Sequence, residues 1–262
     1  MNALRDLVRN SALILMPVAL VACGGGGGGG DKDGDTGGAD TSDAQGLYSG
    51  TADGGVDVVG LVLGNGHYYF LYGSQVDERV DGVVHGRDGK AADGSFTSSN
   101  ARDYALDEDE VFSASINASY TSGATLNGTI TYSDETASFN LVYDNDYDQP
   151  ATMPVGRIEG VATSKSGDDT VYFDVTSGGS FSGQSNDFAC SFGGTLAARG
   201  SKNVFDLRVT FASGAAGADC DFPGKLLDGV AYFDVEEGVF YAAAPTENRD
   251  SGFLFVGDLL EF

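Results

Sequence analysis

Apolar and polar residues alternate with a period of two through most of the chain after residue 46, and this pattern constrains the fold more than any other feature. In residues 111–120, VFSASINASY, every second residue from Phe112 to Tyr120 is apolar or small, and the residues between them are serine and asparagine. Residues 170–176 and 204–211 alternate in the same way. Successive side chains of a strand point to opposite faces, so the pattern predicts half-buried antiparallel strands.

Turn-forming residues separate these segments at intervals of about 8–12 residues, which gives about sixteen strand candidates. Asp88-Gly89 is the strongest turn signal, since both central residues of a type I′ hairpin turn need positive φ. Consecutive hairpins must close on themselves or cover their edges. The sequence therefore predicts an all-β fold, built as an antiparallel up-and-down barrel or a sandwich. Two eight-stranded lobes are the preferred arrangement, and one larger barrel or sandwich is the alternative.

The segment at residues 144–154, DNDYDQPATMP, is the best candidate for a boundary between two lobes, because it contains two prolines and lacks the alternation. It separates an N-terminal lobe at residues 46–149 from a C-terminal lobe at residues 155–262. Each lobe opens with a G-x-x-x-G strand. The first of these strands loosely resembles the opening strand of lipocalin-like barrels. However, Tyr48 stands where that family has tryptophan, so no pocket is carried over from it.

Residues 1–22 have the organisation of a secretory signal peptide, in which two arginines precede an apolar run of about a dozen residues. A run of this length is too short to span a bilayer as a helix. It ends in Leu20-Val21-Ala22-Cys23, which resembles the lipobox of bacterial lipoproteins. The resemblance implies cleavage between Ala22 and Cys23, a diacylglycerol on the Cys23 thiol and anchoring to a membrane. The alternative is an uncleaved apolar N-terminus with an incidental cysteine.

Residues 23–45 are expected to form a flexible tether, because seven consecutive glycines follow Cys23 and no residue larger than alanine adds apolar surface behind them. A cysteine followed by polyglycine resembles surface lipoproteins of the transferrin-binding and factor-H-binding types, over about the first 45 residues. The resemblance implies an outer-membrane protein displayed at the cell surface. Gly24, rather than an aspartate, fits the same location. A position facing the periplasm is the alternative.

The two remaining cysteines, Cys190 and Cys220, are expected to form a disulfide, because an exported chain meets an oxidising compartment and the lipoprotein resemblance assigns Cys23 to lipidation. A buried pair of free thiols and a catalytic cysteine are the alternatives. A catalytic cysteine is disfavoured, because His67 and His85, the two histidines of the chain, lie in the other lobe.

The sequence contains no nucleophile elbow, P-loop or zinc-binding motif. Alternate aspartates that resemble the start of a calcium loop occur twice, at residues 31–35 and 144–148. Both lack the glycine and the glutamate that such a loop requires, so we interpret them as solvated acidic loops. No metal or cofactor is therefore expected. The net charge of −25 argues against binding to nucleic acid.

The aromatic run at residues 67–72, HYYFLY, is apolar on both faces. Such a segment is either a strand buried on both sides or a strand that offers Tyr68, Tyr69 and Tyr72 to a partner. Residues 252–260, GFLFVGDLL, pose the same choice, and burial is the preferred interpretation for both. The sequence thus favours a lipid-anchored binding module for a protein or small-molecule ligand. A structural or assembly component of the envelope is the alternative, and an enzyme is disfavoured.

Overall fold

The alternating segments form seventeen β-strands in the structure, a computed structural model that describes residues 41–74, 79–106, 110–186 and 190–260. Three short 3₁₀ turns lie between them at Asp53–Gly55, Asn145–Asp148 and Gly214–Ala216. The first nine strands are β1 (Gly46–Ala52), β2 (Val56–Val62), β3 (Tyr68–Ser74), β4 (Arg79–Gly86), β5 (Lys90–Ala92), β6 (Ser95–Ala105), β7 (Glu110–Thr121), β8 (Thr125–Thr131) and β9 (Thr136–Asp144). The other eight are β10 (Gly156–Ser164), β11 (Gly167–Val175), β12 (Ser180–Ser185), β13 (Ser191–Ala198), β14 (Phe205–Phe211), β15 (Leu226–Asp234), β16 (Val239–Pro245) and β17 (Gly252–Leu260).

Strands β1–β9 form the N-terminal barrel, in which paired strands run antiparallel and β1 pairs with β9. The barrel closes because the second half of β6 pairs with β4, while its first half pairs with the short strand β5. Eight strands therefore surround the core, and β5 extends the wall as a hairpin with β6. The side chains that fill the core include Tyr48, Tyr68, Phe70, Phe96 and Phe139.

The predicted turn at Asp88-Gly89 is wrong, because β4 and β5 do not pair with each other as a hairpin. The described residues with left-handed φ include Asp93, at 51°, and Gly94, at 77°, and these two residues form the tight turn between β5 and β6. Asp88 has a different role. Its carboxylate accepts hydrogen bonds from the Ser98 hydroxyl at 2.6 Å and from the Ser99 amide at 3.1 Å, and so holds the β4–β5 connection against the wall.

Strands β10–β17 form the C-terminal barrel, a closed meander in which β17 pairs with β10 from Arg157–Leu260 to Ser164–Phe253. The alternation predicted from the sequence decides which side chains enter it. On β14, Phe205, Leu207 and Val209 are buried, whereas the residues between them are exposed. The prediction of an all-β protein with two eight-stranded lobes is confirmed, and the alternative of one larger barrel is wrong.

The outer walls of the two barrels pack against each other through a cluster of apolar side chains. Tyr69 and Leu71 of the N-terminal barrel belong to the same buried cluster as Tyr232, Tyr241 and Leu254 of the C-terminal barrel. All seven residues of β16 are buried, because one face enters the barrel core and the other faces the neighbouring barrel. The segments that are apolar on both faces are therefore strands that lie between two hydrophobic environments.

Hydrogen bonds across the same interface hold the barrels in one orientation. Nη2 of Arg249 donates to the carbonyl oxygens of His85 at 2.7 Å and Asn100 at 2.8 Å. At another point the Asn203 amide donates to the Tyr147 carbonyl at 3.0 Å. The backbone of Arg249 adopts a φ of 60°, which is uncommon for a residue with a side chain, in the turn where its amide donates to the Thr246 carbonyl.

Candidate functional site

The C-terminal barrel contains a cavity of about 240 Å³ whose lining is mostly apolar. Eight phenylalanines line it: Phe173, Phe181, Phe192, Phe211, Phe222, Phe240, Phe253 and Phe255. The lining also includes the exposed residues Asp168, Asp219 and Asp221, so the cavity reaches the surface. These aspartates lie in the connections β10–β11 and β14–β15 or directly beside them, which places the opening, here called the mouth, at that end of the barrel.

The deep part of the cavity is built around Phe173 on β11. Its ring centroid lies 5.4 Å from that of Phe181, 5.8 Å from that of Phe240 and 5.2 Å from that of Phe255. These side chains come from four different strands and point inward, because each occupies an inward position of the alternating pattern. Edge and tilted contacts of this kind stabilise aromatic clusters beyond their buried area.

The mouth has its own aromatic group, centred on Phe211 at the end of β14. The ring of Phe211 lies 6.1 Å from Phe192, 5.4 Å from Phe222 and 6.0 Å from Phe253. Phe192 also contacts Phe173 at 6.2 Å, so the two groups form one continuous aromatic wall.

Small side chains leave the space between these rings unfilled. Ala162 on β10 and Ala242 on β16 line the cavity at inward positions where a larger apolar residue would occupy it. At the opposite end of the barrel, Ala151 and Met153 pack against the core. Met153 also approaches Gly179 in the β11–β12 turn, which lies at that end. The cavity is therefore closed by the inter-barrel segment at one end and open at the other.

A disulfide joins Cys190 to Cys220 beside the mouth, and both cysteines line the cavity. The bridge attaches the β14–β15 connection at residues 212–225, here called the mouth loop, to the start of β13. Backbone hydrogen bonds from Ala212 to Ser191 at 2.8 Å and from Gly224 to Ala212 at 2.9 Å hold the base of the loop. The Ser164 hydroxyl donates to the Asp221 carboxylate and connects the mouth loop to β10. The predicted disulfide between Cys190 and Cys220 is therefore present, and it lies at the cavity mouth, a position that the sequence did not indicate.

The tyrosines suggested as a binding face lie mainly in the interior. Tyr68 is fully buried and its hydroxyl shares a hydrogen bond of 2.6 Å with the Ser98 hydroxyl, and burial raises the pKa of Tyr68. Tyr69 is 3 % exposed and belongs to the inter-barrel cluster. The partly buried Tyr72 donates to the Asp103 carboxylate at 2.8 Å. In β3, Tyr68 and Tyr69 are therefore buried, whereas Tyr72 keeps part of its surface exposed.

The two histidines are brought together by the pairing of β3 with β4, and their ring centroids are 6.1 Å apart. His85 is buried at the inter-barrel contact, where burial and the nearby charges of Arg249 and Arg87 lower its pKa well below the usual value. Among the described residues, no hydrogen-bond partner contacts either of its ring nitrogens. This environment is that of a neutral structural histidine.

The second acidic triplet has a structural role at the inter-barrel segment. Asp144 accepts a hydrogen bond of 2.9 Å from the Asp146 amide and begins the 3₁₀ turn there, while Asp148 pairs with Lys202 at 2.7 Å. Hydrogen bonding to Lys202 lowers the pKa of Asp148, whereas burial raises the pKa of Asp144 and Asp146. In the described ranges no group of three or more histidine, cysteine or acidic side chains is arranged to hold a metal ion.

Several residues singled out in the sequence lie outside the described residues: Ala22, Cys23, the polyglycine segment and the first acidic triplet. Over the ranges that the structure does cover, no helix is long and apolar enough to cross a bilayer. The alternating pattern alone does not predict the phenylalanine cavity. The sequence feature that points to the cavity is the repeated phenylalanine at inward positions of β11, β12, β16 and β17, together with alanines at other inward positions.

Comparison with known proteins assigns no family to this chain. No family model matches it, and no curated protein matches it. Among solved structures, it is similar to the isotype 1 transferrin binding protein B from serogroup B Neisseria meningitidis, with a TM-score of 0.33 and 10% sequence identity. The match covers 78% of this chain and 52% of that protein, so the chain spans about half of its length. At this level the similarity supports no conclusion about fold or function.

Proposed function

We propose that this chain is a lipid-anchored binding protein of the bacterial outer membrane, exposed at the cell surface, whose C-terminal barrel takes up a small apolar ligand. The observation that carries the binding part is the phenylalanine-lined cavity that opens at the mouth. Its volume of about 240 Å³ lies just below the range of roughly 300–1,000 Å³ typical of sites for drug-sized ligands, which suits a small molecule or one short acyl chain.

An unfilled apolar cavity reduces stability, because the atoms that line it lack packing partners. Larger residues at Ala162 and Ala242 would fill it. A ligand that enters the cavity removes its own apolar surface from water, which contributes about 0.8 kcal/mol for each buried CH₂ group. The small side chains at these inward positions therefore fit a cavity that is kept open for a ligand.

Binding is better supported than catalysis because of the chemistry of the lining. Its described residues supply phenylalanine, aspartate, serine and a disulfide, with no histidine or lysine to act as a general base or to activate a hydroxyl. Carboxylates and hydroxyls at the mouth suit a polar end of the ligand.

The anchoring part of the proposal rests on the sequence. Residues 1–22 act as the signal peptide and Cys23 carries the lipid. The tether expected over residues 23–45 extends no further than residue 40, because Thr41 and Ala44 are buried and hydrogen-bonded to the N-terminal barrel. One acyl chain anchors a protein only marginally, whereas the two or three chains of a lipoprotein give durable attachment. The lobes at residues 46–149 and 155–262 are then the parts presented to ligands.

Ligand binding is tested with N-phenyl-1-naphthylamine, a neutral apolar fluorophore whose emission rises in an apolar site. The chain from residue 23 onward, carrying Cys23→Ser, is used, so that neither the apolar signal segment nor a lipid calls for detergent. We expect saturable binding that Ala242→Leu weakens at least tenfold, because the new side chain occupies the cavity. Thr210→Leu adds the same side chain at an exposed position of β14 and is expected to bind like the parent chain. Absence of saturable binding, or equal binding by the two variants, would refute the cavity as the site.

The anchor is tested by metabolic labelling with an alkyne analogue of palmitate. Cys23→Ser should abolish labelling, while a chain with Cys190→Ser and Cys220→Ser should keep it. Protease treatment of intact cells then separates the two orientations, since rapid digestion supports surface display and resistance until lysis supports the periplasmic alternative. An unlabelled wild-type chain would contradict the anchoring proposal but not the binding proposal.

A further inference from the structure

A second space lies between the two barrels and is here called the inter-barrel cleft. Its volume of about 840 Å³ falls within the range of roughly 300–1,000 Å³ typical of ligand sites. The N-terminal barrel forms one side, at the β2–β3 connection and the end of β4, and the outer wall of β13, β14 and β15 forms the other. The cleft is separate from the phenylalanine cavity, since Leu207 is the one residue that borders both.

Basic residues are unusually frequent in the lining of this cleft, in a chain with 14 lysines and arginines against 39 acidic residues. Three arginines line it: Arg87, Arg199 and Arg208. Three acidic residues also line it: Asp206, Asp228 and Glu247. Charges more than about 10 Å away are largely screened at 0.1 M salt. An anion therefore meets less repulsion in the cleft, where the charges balance, than elsewhere on a protein of net charge −25.

The two ion pairs in the lining use a single nitrogen of each arginine. Nε of Arg199 donates to Asp206 at 2.9 Å, and Nε of Arg208 donates to Asp228 at 2.9 Å. The ion pair of Arg157, on another part of the outer wall, instead uses both Nε and Nη2. Among the described residues, no acceptor contacts the terminal nitrogens of Arg199 and Arg208. These nitrogens can therefore donate to an anion in the cleft.

Arg87 has no carboxylate partner within the described part of the chain. Its Nη1 donates to the carbonyl oxygen of Glu247 at 3.5 Å, which is longer than the usual 2.7–3.2 Å, and its buried Nε contacts no described acceptor. A second cation lies nearby, because burial lowers the pKa of Arg249 and the charge of Arg87 lowers it further. Taking a charge out of water is costly unless a charge of opposite sign pairs with it. Arg87 is therefore the group that an incoming anion would stabilise most.

Apolar side chains surround these arginines in the lining. Leu63 and Tyr69 line the cleft from the N-terminal barrel, and Leu226, Val230 and Pro245 line it from the C-terminal barrel. Leu226 is 48 % exposed, which is a large fraction for a leucine in a folded protein. A ligand with an apolar body would remove this surface from water, so the lining suits an amphiphilic anion better than an inorganic ion.

From this arrangement we infer that the inter-barrel cleft binds an organic carboxylate, whose anionic group pairs with Arg87 and whose apolar body covers Leu226 and its apolar neighbours. The planar guanidinium matches a carboxylate, since two parallel N–H donors can meet its two oxygens. A phosphate monoester fits less well, because Arg87 supplies one uncompensated positive charge and the phosphate carries nearly two negative charges at pH 7.5. This site goes beyond the proposed function, since it lies outside the phenylalanine cavity and takes a charged ligand.

The probe is 8-anilinonaphthalene-1-sulfonate, a fluorophore that adds one anionic group to N-phenyl-1-naphthylamine. It is titrated into the chain from residue 23 onward carrying Cys23→Ser and Ala242→Leu, in which the new leucine fills the phenylalanine cavity. We expect saturable binding at pH 7.5. Three compounds with the same naphthalene ring then compete with the probe: 1-naphthoate, 1-naphthyl phosphate and 1-naphthalenemethanol. The carboxylate should bind most tightly, and the neutral alcohol at least tenfold more weakly, because it forms no charge-assisted hydrogen bond with Arg87.

Two pairs of variants locate the site. Arg87→Gln should weaken binding of the probe and of 1-naphthoate at least tenfold, whereas Arg157→Gln removes the same charge outside the cleft and should leave both unchanged. Ala197→Glu places a negative charge in the lining at an exposed position and should weaken binding to a similar extent. Thr210→Glu adds the same charge on the neighbouring strand outside the lining and serves as its control. The second pair tests the cleft even if Arg87→Gln does not fold, since circular dichroism is recorded for every variant.

The outcomes separate this inference from the proposed function. Absence of saturable binding of the anionic probe after Ala242→Leu, or equal binding by each variant and its control, overturns the cleft as a site. Tighter binding of the phosphate or of the alcohol than of 1-naphthoate overturns the assigned ligand class. N-phenyl-1-naphthylamine, in a chain that retains Ala242, tests the phenylalanine cavity. Its failure to bind would refute the proposed function and leave the result for the cleft intact.

Discussion

The pH dependence of stability is expected to depend on His85, which lies where the two barrels meet. The side chain is 1 % exposed, and its ring centroid is 4.6 Å from that of Tyr69. The titratable and charged groups that act on it are Arg249, Arg87 and His67. Burial and these cationic neighbours oppose a charge on the imidazole, so the folded protein holds His85 neutral well below its usual pKa of 6.5.

The sign of the effect follows from proton binding. Between the lowered pKa of the folded state and the value of 6.5 in the unfolded state, the unfolded chain binds more protons at this site. The free energy of unfolding therefore falls as the pH falls below 6.5, by about 1.4 kcal/mol per pH unit for one group. Acidification from pH 7.5 to pH 5 costs at most about 2 kcal/mol through His85.

The perturbation is His85→Phe, which keeps an aromatic ring against Tyr69 and removes the titration. Urea unfolding followed by far-UV circular dichroism at pH 7.5, 6.5, 5.75 and 5 gives the difference in unfolding free energy between the variant and the wild type. This difference should shift in favour of the variant between the first and last pH, by up to about 2 kcal/mol. Carboxylates with shifted pKa, including those of Asp144 and Asp146, are present in both proteins and cancel.

The control variant is Tyr104→Phe. It changes a side chain of the inter-barrel cluster whose hydroxyl does not titrate between pH 5 and pH 7.5, so the difference in unfolding free energy between this variant and the wild type should not vary with pH. A flat difference for His85→Phe would refute the reasoning, since it would mean that His85 binds its proton equally in the folded and unfolded states.

Two further predictions concern the elements that support the cavity and the interface. Replacing Cys190 and Cys220 together by alanine should lower the free energy of unfolding by about 3.5 kcal/mol, because a loop of 30 residues is no longer closed in the unfolded chain. It should also weaken fluorophore binding, because the mouth loop is released; unchanged binding would show that the loop does not shape the cavity. Tyr241→Ala, at a residue that is 5 % exposed between the barrels, should cost about 3–5 kcal/mol in urea unfolding and speed proteolysis of the folded chain. Tyr172→Ala, at a partly exposed position on the outer wall, should cost under about 1 kcal/mol, and equal losses for the two tyrosines would contradict the assigned interface.

Much of the fold was predictable from residues that are near each other in the sequence. Phe205, Leu207 and Val209 were expected on one face of a strand, and the structure places all three inside the C-terminal barrel. The hairpin at Asp88-Gly89 was not correctly predicted, because positive φ is required instead at Asp93-Gly94 and β4 pairs with β6. Turn residues indicate that the chain can reverse, but strand pairing decides where it does.

The sequence by itself determined the all-β class, the two eight-stranded lobes and the identity of most inward side chains, because alternation and turn chemistry act between close neighbours. Only the tertiary structure decided that the second apolar face of β3, β16 and β17 is covered by the other barrel. It also decided that small inward residues lie opposite phenylalanines and leave a cavity, and that the disulfide stands at its mouth. These features depend on contacts between residues far apart in the chain, such as the hydrogen bond from Arg249 to the His85 carbonyl, and no local pattern records them.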